Sequence, residues 1–416
     1  MNTLEVHDRD QWNRIVLSFP EYHLYQGYEW GEIRREAGWV PYRYAVFDGD
    51  RAIAAVSIAA GKLIGSPFSL LDASRGPLME WTNPHAWEGL RHAIREVADR
   101  TGAVFLRVSP GVSNEESAVH DALVAHDFRH LPNDWTWWNG QRTIVTMPLS
   151  LSDAELTKRM RRGTSRYLER AIQKGADVRL DASADSLQAF YKLFRDSATR
   201  KGYPVRSFQY IESLNRHYLS KGDGCLSMVS YGGVNLSGVL FLQYGRKAYA
   251  MHLGNDDVSA LGRDLRGGYA AHWWALRWCR DNGCELSDWG GSRTGFPPRP
   301  EDSGYSLYQF KAGFGCSVEY LTGYYDMVFR PRLYWTARLG EERLLPFAYR
   351  TRARLNGWFE PTPYSSRSVA AASLASTTSA MSPPKEPPRT NRSTDDVDLI
   401  AMGRKCPPAQ SNSRDK

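Results

Sequence analysis

The residue with the clearest chemical potential is Lys311, within Leu307-Tyr308-Gln309-Phe310-Lys311-Ala312-Gly313-Phe314-Gly315. It is a single cation among aromatic side chains, and the runs on either side read as strands. A lysine so placed is partly desolvated, and its charge acts strongly on whatever lies beside it. Its stem is expected against Phe310 or nearby aromatics, with the ammonium free to face a reacting carbonyl. A fixed cation in a dry cleft can stabilise negative charge that develops beside it, and losing such a donor typically removes about 3 kcal/mol. The plainer reading of the same residues is a snorkelling lysine whose stem packs on Phe310 and Tyr308.

A second concentration of charge follows Ser152, where Glu155 completes a capping box. The helix starting there runs basic: Lys158, Arg159, Arg161, Arg162, Arg166, Arg170 and Lys174 face only Glu169 in that window. Arg166, Arg170 and Lys174 are spaced by four and share one helix face. Such a face can neutralise an RNA backbone, and it can equally be a solvated surface. Arg263-Asp264-Leu265-Arg266-Gly267-Gly268-Tyr269-Ala270 is a Gly-bearing loop entering a helix, where backbone N–H groups can cradle a pyrophosphate such as that of CoA. The ten histidines form no HExxH pattern and the five cysteines no CxxC pair, so no metal site or disulfide framework is expected.

The elements that must position these residues read as α/β. Trp30, Ile33 and Ala37 fall on one face of a helix near 26–35. Asp48-Gly49-Asp50 joins two strand-like runs as a hairpin turn. Residues 87–101 form an amphipathic helix before a strand at 104–108. After residue 150 the order of helices, hairpin, helix and strand returns, which predicts two α/β units of similar topology. The chain has 416 residues, 42% hydrophobic and 24% charged, with 14 Trp and 22 Tyr. A net charge of +7 suits an anionic partner. The N-terminus has no signal pattern and no apolar run nears the roughly 20 residues of a membrane span, so a cytoplasmic protein is expected. Residues 361–416 hold eight of the 22 prolines and one aromatic residue, Tyr364, so this tail is expected to be disordered.

LYQFKAGFG followed by Glu319-Tyr320 and Gly323-Tyr324-Tyr325-Asp326 resembles the C-terminal signature of the FemABX peptidyltransferases. The likeness extends over roughly residues 20–335. Trp30-Gly31-Glu32-Ile33-Arg34 resembles the family's first helix, where a tryptophan is followed four residues later by a phosphate-holding lysine; Arg34 keeps that charge. Arg75-Gly76-Pro77 matches an Arg-Gly-Pro loop, and Met160–Gly175 resembles the basic helix opening the second domain. Tyr203-Pro204-Val205-Arg206, with Tyr210, resembles the segment that meets the sugar-nucleotide part of the precursor. Ser287-Asp288-Trp289-Gly290-Gly291 resembles a strand and turn that usually read Asp, aromatic, Gly, Gly.

The resemblance implies two tandem GNAT-like acyltransferase domains of mixed α/β sheets. They are expected at 1–150 and 151–317, with 318–360 packing back onto the first. It also implies transfer of an amino acid from aminoacyl-tRNA to an amine of a peptidoglycan precursor, nucleotide- or lipid-linked, the latter at the cytoplasmic face of a membrane. No resident cofactor is implied, since aminoacyl-tRNA is a co-substrate. Lys311 is then the catalytic cation, Arg34, Arg206, Tyr210 and Phe310 bind substrate, and Arg166, Arg170 and Lys174 contact tRNA. Arg34 and Arg206 are expected to face a common cleft. Where many members carry an aspartate before a proline, this chain has Ser109-Pro110, which leaves the acceptor or the catalytic detail open. The alternatives are a CoA-dependent N-acyltransferase and a non-catalytic precursor-binding module.

Overall fold

The structure, a computed structural model, describes residues 2–63, 66–131, 142–201, 205–292, 294–302 and 304–340. The first half supplies strands β1 (Asn2–Glu5), β2 (Val40–Asp48), β3 (Arg51–Lys62), β4 (Ser69–Arg75), β5 (Leu78–Met79), β6 (Ala103–Pro110) and β7 (Phe128–Leu131). Its helices are α1 (Arg9–Leu17), α2 (Tyr28–Glu36), α3 (Pro84–Thr101) and α4 (Ser117–Ala125). The remainder supplies β8 (Thr143–Pro148), β9 (Asp177–Leu180), β10 (Gly224–Tyr231), β11 (Val234–Tyr244), β12 (Lys247–Asn255), β13 (Leu286–Gly291), β14 (Ser317–Tyr320) and β15 (Tyr324–Val328). Its helices are α5 (Asp153–Arg159), α6 (Arg162–Gln173), α7 (Ala184–Arg200), α8 (Phe208–His217), α9 (Ala260–Leu265), α10 (Gly268–Asp281), α11 (Tyr305–Gly313) and α12 (Pro331–Leu339).

Among the described residues these strands form two sheets, ordered β1-β2-β3-β4-β6-β15-β7 and β14-β8-β13-β12-β11-β10-β9, with β5 on β3. Both follow one plan. β3 pairs antiparallel with β4, and α3 crosses over to β6, parallel to β4. β11 pairs antiparallel with β12, and α10 crosses over to β13, parallel to β12. A parallel neighbour cannot be reached by a tight turn, so each crossover needs a helix. α3 is specified locally. Asn83 accepts the His85 N–H as N-cap, Pro84 opens the first turn, and Gly102 ends the helix at φ 63°. Ala86, Leu90, Ala93, Ile94 and Val97 lie on its buried face.

The sheets divide the chain elsewhere than at residue 150. β8 lies before that position yet pairs with β13 and β14. After the second sheet, β14 stays with it while β15 inserts between β6 and β7 of the first. The return is fixed by Asp326 on β15, which accepts two bonds from Arg107 on β6, both 2.8 Å, with neither side chain more than 1% exposed. Tyr334 of α12 adds a third at 3.1 Å. Residues 341–360 and the expected tail, 361–416, lie outside the described residues.

Two expected elements differ. The run before Lys311 is not a strand: Tyr305–Gly313 is helical, and Gly315 at φ 84° turns the chain into β14. Aromatic residues favour strands only where a pleated neighbour receives them; here they pack around Tyr269 and His272 of α10 instead. The basic stretch after Ser152 is two helices. Met160 and Arg161 are extended, and the Arg161 N–H donates to Gly313 O at 2.8 Å, so the break is made by α11.

Candidate active site

The two sheets meet through a shared apolar core that includes Trp12, Leu24 and Trp30 from one side and Phe190, Leu240 and Tyr249 from the other. Polar ties cross the same seam. The Lys247 ammonium donates to Pro20 O and Tyr22 O at 3.2 and 3.1 Å, and the Tyr244 hydroxyl to Asn13 at 2.8 Å. At this seam Asp288 of β13 meets His23, which precedes α2. His23 Nε2 lies 3.5 Å from Asp288 Oδ2, with both residues buried.

The local protonation follows from the bonds. His23 Nδ1 accepts the Tyr25 N–H at 3.0 Å, so a neutral imidazole carries its proton on Nε2, toward Asp288. Burial lowers His23 to about 4, only partly offset by Asp288. Burial alone would raise Asp288. The His23 bond and the charge of Arg75 outweigh it, together with the Gly290 N–H donated at 2.6 Å, and bring the carboxyl down to about 2. Asp288 is therefore a carboxylate at neutral pH. Arg75, at the end of β4, also acts electrostatically on His23 and Tyr25.

Lys311 sits at the edge of this centre, 6% exposed. Its ammonium is not free, contrary to expectation. Nζ donates to Trp289 O at 2.5 Å, Gly290 O at 3.1 Å and Gly291 O at 2.8 Å, so all three protons are engaged. Burial lowers Lys311 to about 8, while the Asp288 carboxylate acts to raise it. Because α11 is a helix, the lysine reaches back onto the turn after Asp288 and holds its carbonyls. Phe310 does not face open space either. Its ring packs with Tyr269, His272 and Phe314 at centroid distances of 5.0, 5.0 and 5.5 Å, as part of the second unit's core.

The other expected residues are dispersed. Arg34 donates to Asp72 at 2.8 Å and lies over the Trp39 ring at 4.0 Å. Arg206 is exposed, 5.4 Å from the Tyr210 ring, and its charge reaches Tyr25 and His252. Tyr203-Pro204 lies outside the described residues. The Tyr210 hydroxyl is 3.4 Å from His252 Nε2. Arg170 and Lys174 both pair with Asp264, at the Gly-bearing loop, so that face is partly neutralised by its own chain; Arg166 is exposed. His23, Asp288 and His252 were missed as site residues. Asp288 could have been found, since it stands in the quoted strand-and-turn motif, whereas His23 has no sequence signal linking it to a residue 265 positions away.

Three imidazoles, His23, His252 and His272, are held neutral, at about 4, 3 and 4, with burial the first cause in each. The unfolded chain binds these protons near pH 6.5 and the folded chain does not. Stability is therefore complete above pH 6.5 and is lost as pH falls toward 4, by up to about 3 kcal/mol for His23. Urea unfolding at pH 7.5, 6 and 5 checks this; a flat profile would contradict neutral buried histidines.

Comparison with known proteins agrees with the fold. Residues 9–132 match the FemAB family, and residues 157–299 match the acetyltransferase (GNAT) domain family. A lipid II:glycine glycyltransferase of Staphylococcus saprophyticus is 21% identical over 390 residues, covering 77% of this chain and 91% of that protein. One from Staphylococcus epidermidis is 20% identical over 415 residues, covering 83% and 98%. A crystal structure of FemX superposes with a TM-score of 0.73 at 19% identity, covering 81% of this chain and 99% of that one. The two units are tandem GNAT-like domains. No helix among the described residues is long and apolar enough to cross a membrane.

Proposed function

We propose that this chain, a member of the FemABX family, is an acyltransferase that moves an amino acid from aminoacyl-tRNA to an amine of a peptidoglycan precursor. The supporting observation is the buried set of opposite charges at the seam: the Asp288 carboxylate with Arg75 and Lys311 acting on it or receiving its field. Aminolysis of an ester needs both signs. As the neutral amine attacks, its nitrogen becomes positive and the carbonyl oxygen negative; the C–O bond to tRNA then breaks, and the proton lost by the nitrogen ends on the departing ribose oxygen. A fixed carboxylate favours the first charge and a fixed cation, Lys311, the second, without reorganisation in a water-poor site. Asp288 is assigned to the attacking amine. Lys311 acts through the carbonyls it holds and through its field. The staphylococcal relatives' activity on lipid II supports a peptidoglycan acceptor.

Arg206, exposed beside Tyr210, is assigned to precursor phosphate. Arg206→Ala should raise the KM for precursor about tenfold with a smaller effect on the donor. Arg34→Ala should do less, because Asp72 already holds that guanidinium. Unchanged precursor kinetics in both variants would remove this assignment. The acetyltransferase-domain match at 157–299 favours a second reading, in which acyl-CoA is the donor. The deciding experiment offers purified protein labelled aminoacyl-tRNA or acyl-CoA with precursor and scores transfer by mass. Transfer from acyl-CoA alone would replace the first reading with the second.

A further inference from the structure

One buried cation makes no ion pair among the described residues. Arg75 is 4% exposed, yet its Nε has no hydrogen-bond partner and no ion pair holds its guanidinium among the described residues. It contrasts with Arg107, equally buried, whose charge is matched by Asp326. A buried arginine with only the through-space field of Asp288, and no anion in contact, still has hydrogen-bonding capacity for one. Arg75 also has φ 60°, a conformation that most residues avoid.

Arg75 lines a shallow depression open to solvent with Ser109, Arg142 and Tyr324, and none of its lining residues is acidic. Arg142 is engaged: it donates to Leu321 O at 3.3 Å and Asn114 Oδ1 at 3.1 Å, and lies over the Tyr320 ring. Ser109 Oγ accepts the Arg75 N–H at 3.2 Å, which leaves its own O–H to donate into the pocket. The pocket therefore presents one unsatisfied guanidinium and one hydroxyl, donors matched to a planar monoanion. The field of the nearby Asp288 carboxylate disfavours a dianion.

We infer that this pocket is a carboxylate subsite, and that it selects acceptor peptides carrying a free carboxylate near the acceptor amine. The peptide's identity rests on the transferase reading; the subsite does not. The amine would then lie toward Asp288 and the carboxylate against Arg75, which fixes the orientation of attack. The residue that would most directly occupy the pocket from within the chain is an acid at 109, where this protein has serine.

Calorimetric titration of the full chain with a lysine-containing stem peptide ending in a free carboxylate, its fully amidated counterpart and inorganic phosphate tests this. The carboxylate peptide should bind ten- to hundredfold more tightly than the amide. Arg75→Gln should erase the difference in a chain that still unfolds in one cooperative thermal transition. Ser109→Asp should also erase it and raise the melting temperature by pairing with Arg75. Equal binding of the two peptides, no binding of either, a preference that survives in Arg75→Gln, or tighter binding of phosphate would each overturn the subsite. Transfer to the same peptide-bearing precursor, scored in parallel, separates the two readings. Discrimination without transfer overturns only the transferase, and transfer without discrimination overturns only the subsite.

Discussion

Lys311→Met should lose about a hundredfold in turnover and, in the same protein, about 2–4 kcal/mol of stability. The two losses have one origin. The methionine keeps much of the stem's volume, but it leaves the carbonyls of Trp289, Gly290 and Gly291 without the donors that now hold them. An abandoned buried acceptor is destabilising by about 1–3 kcal/mol, and part of that sum is returned because the variant no longer buries a cation. This departs from the expectation of a free ammonium, under which the variant would fold normally. Turnover falls because the turn carrying Asp288 loosens and the positive field beside it vanishes. The split between kcat and KM identifies the role. Measured at a temperature where the variant is fully folded, kcat should fall while the KM for precursor changes little. Restored turnover at low temperature would make Lys311 structural only.

Asp288→Asn should be still more costly to catalysis, by about a thousandfold in kcat, and it should also lower stability at neutral pH, because a carboxyl brought down to about 2 by its folded-state partners is lost. Asparagine retains the shape and can still accept the Gly290 N–H, but it removes the one negative charge assigned to the attacking amine. It also acts on Lys311. The carboxylate raises the lysine's pKa against the effect of burial, so its removal sends Lys311 below its present value of about 8. Activity that needs the protonated lysine should thus have an alkaline limb near pH 8 in the wild-type protein, displaced to lower pH in Asp288→Asn. A variant with normal kcat, or with an unmoved limb, would exclude this arrangement of charges.

Much of the architecture was legible because it is encoded locally. The caps of α3, the Asp48-Gly49-Asp50 turn and the Ser152–Glu155 capping box each lie within a few residues, where backbone geometry and side-chain type decide the outcome. The return of the same element order after residue 150 likewise revealed the second unit. Lys311 was picked out correctly as a buried lysine among aromatics. Its direction was not, since composition does not distinguish a strand from a helix over nine residues, and that choice was made by the aromatic surface of α10. The site itself is a product of tertiary structure. Lys311 sets its ammonium on carbonyls twenty to twenty-two positions away, and His23 meets Asp288 across the seam between two sheets. Arg107 needs Asp326 from a strand that leaves the first unit and returns after the second has been completed. Burial, and with it the sign and size of every pKa shift at the centre, is a property of the assembled seam rather than of any residue in it. The sequence alone therefore determined which charged groups the protein owns. Which of them are paired, and that Arg75 is left without a contacting anion among the described residues, was decided only when the two sheets closed on one another.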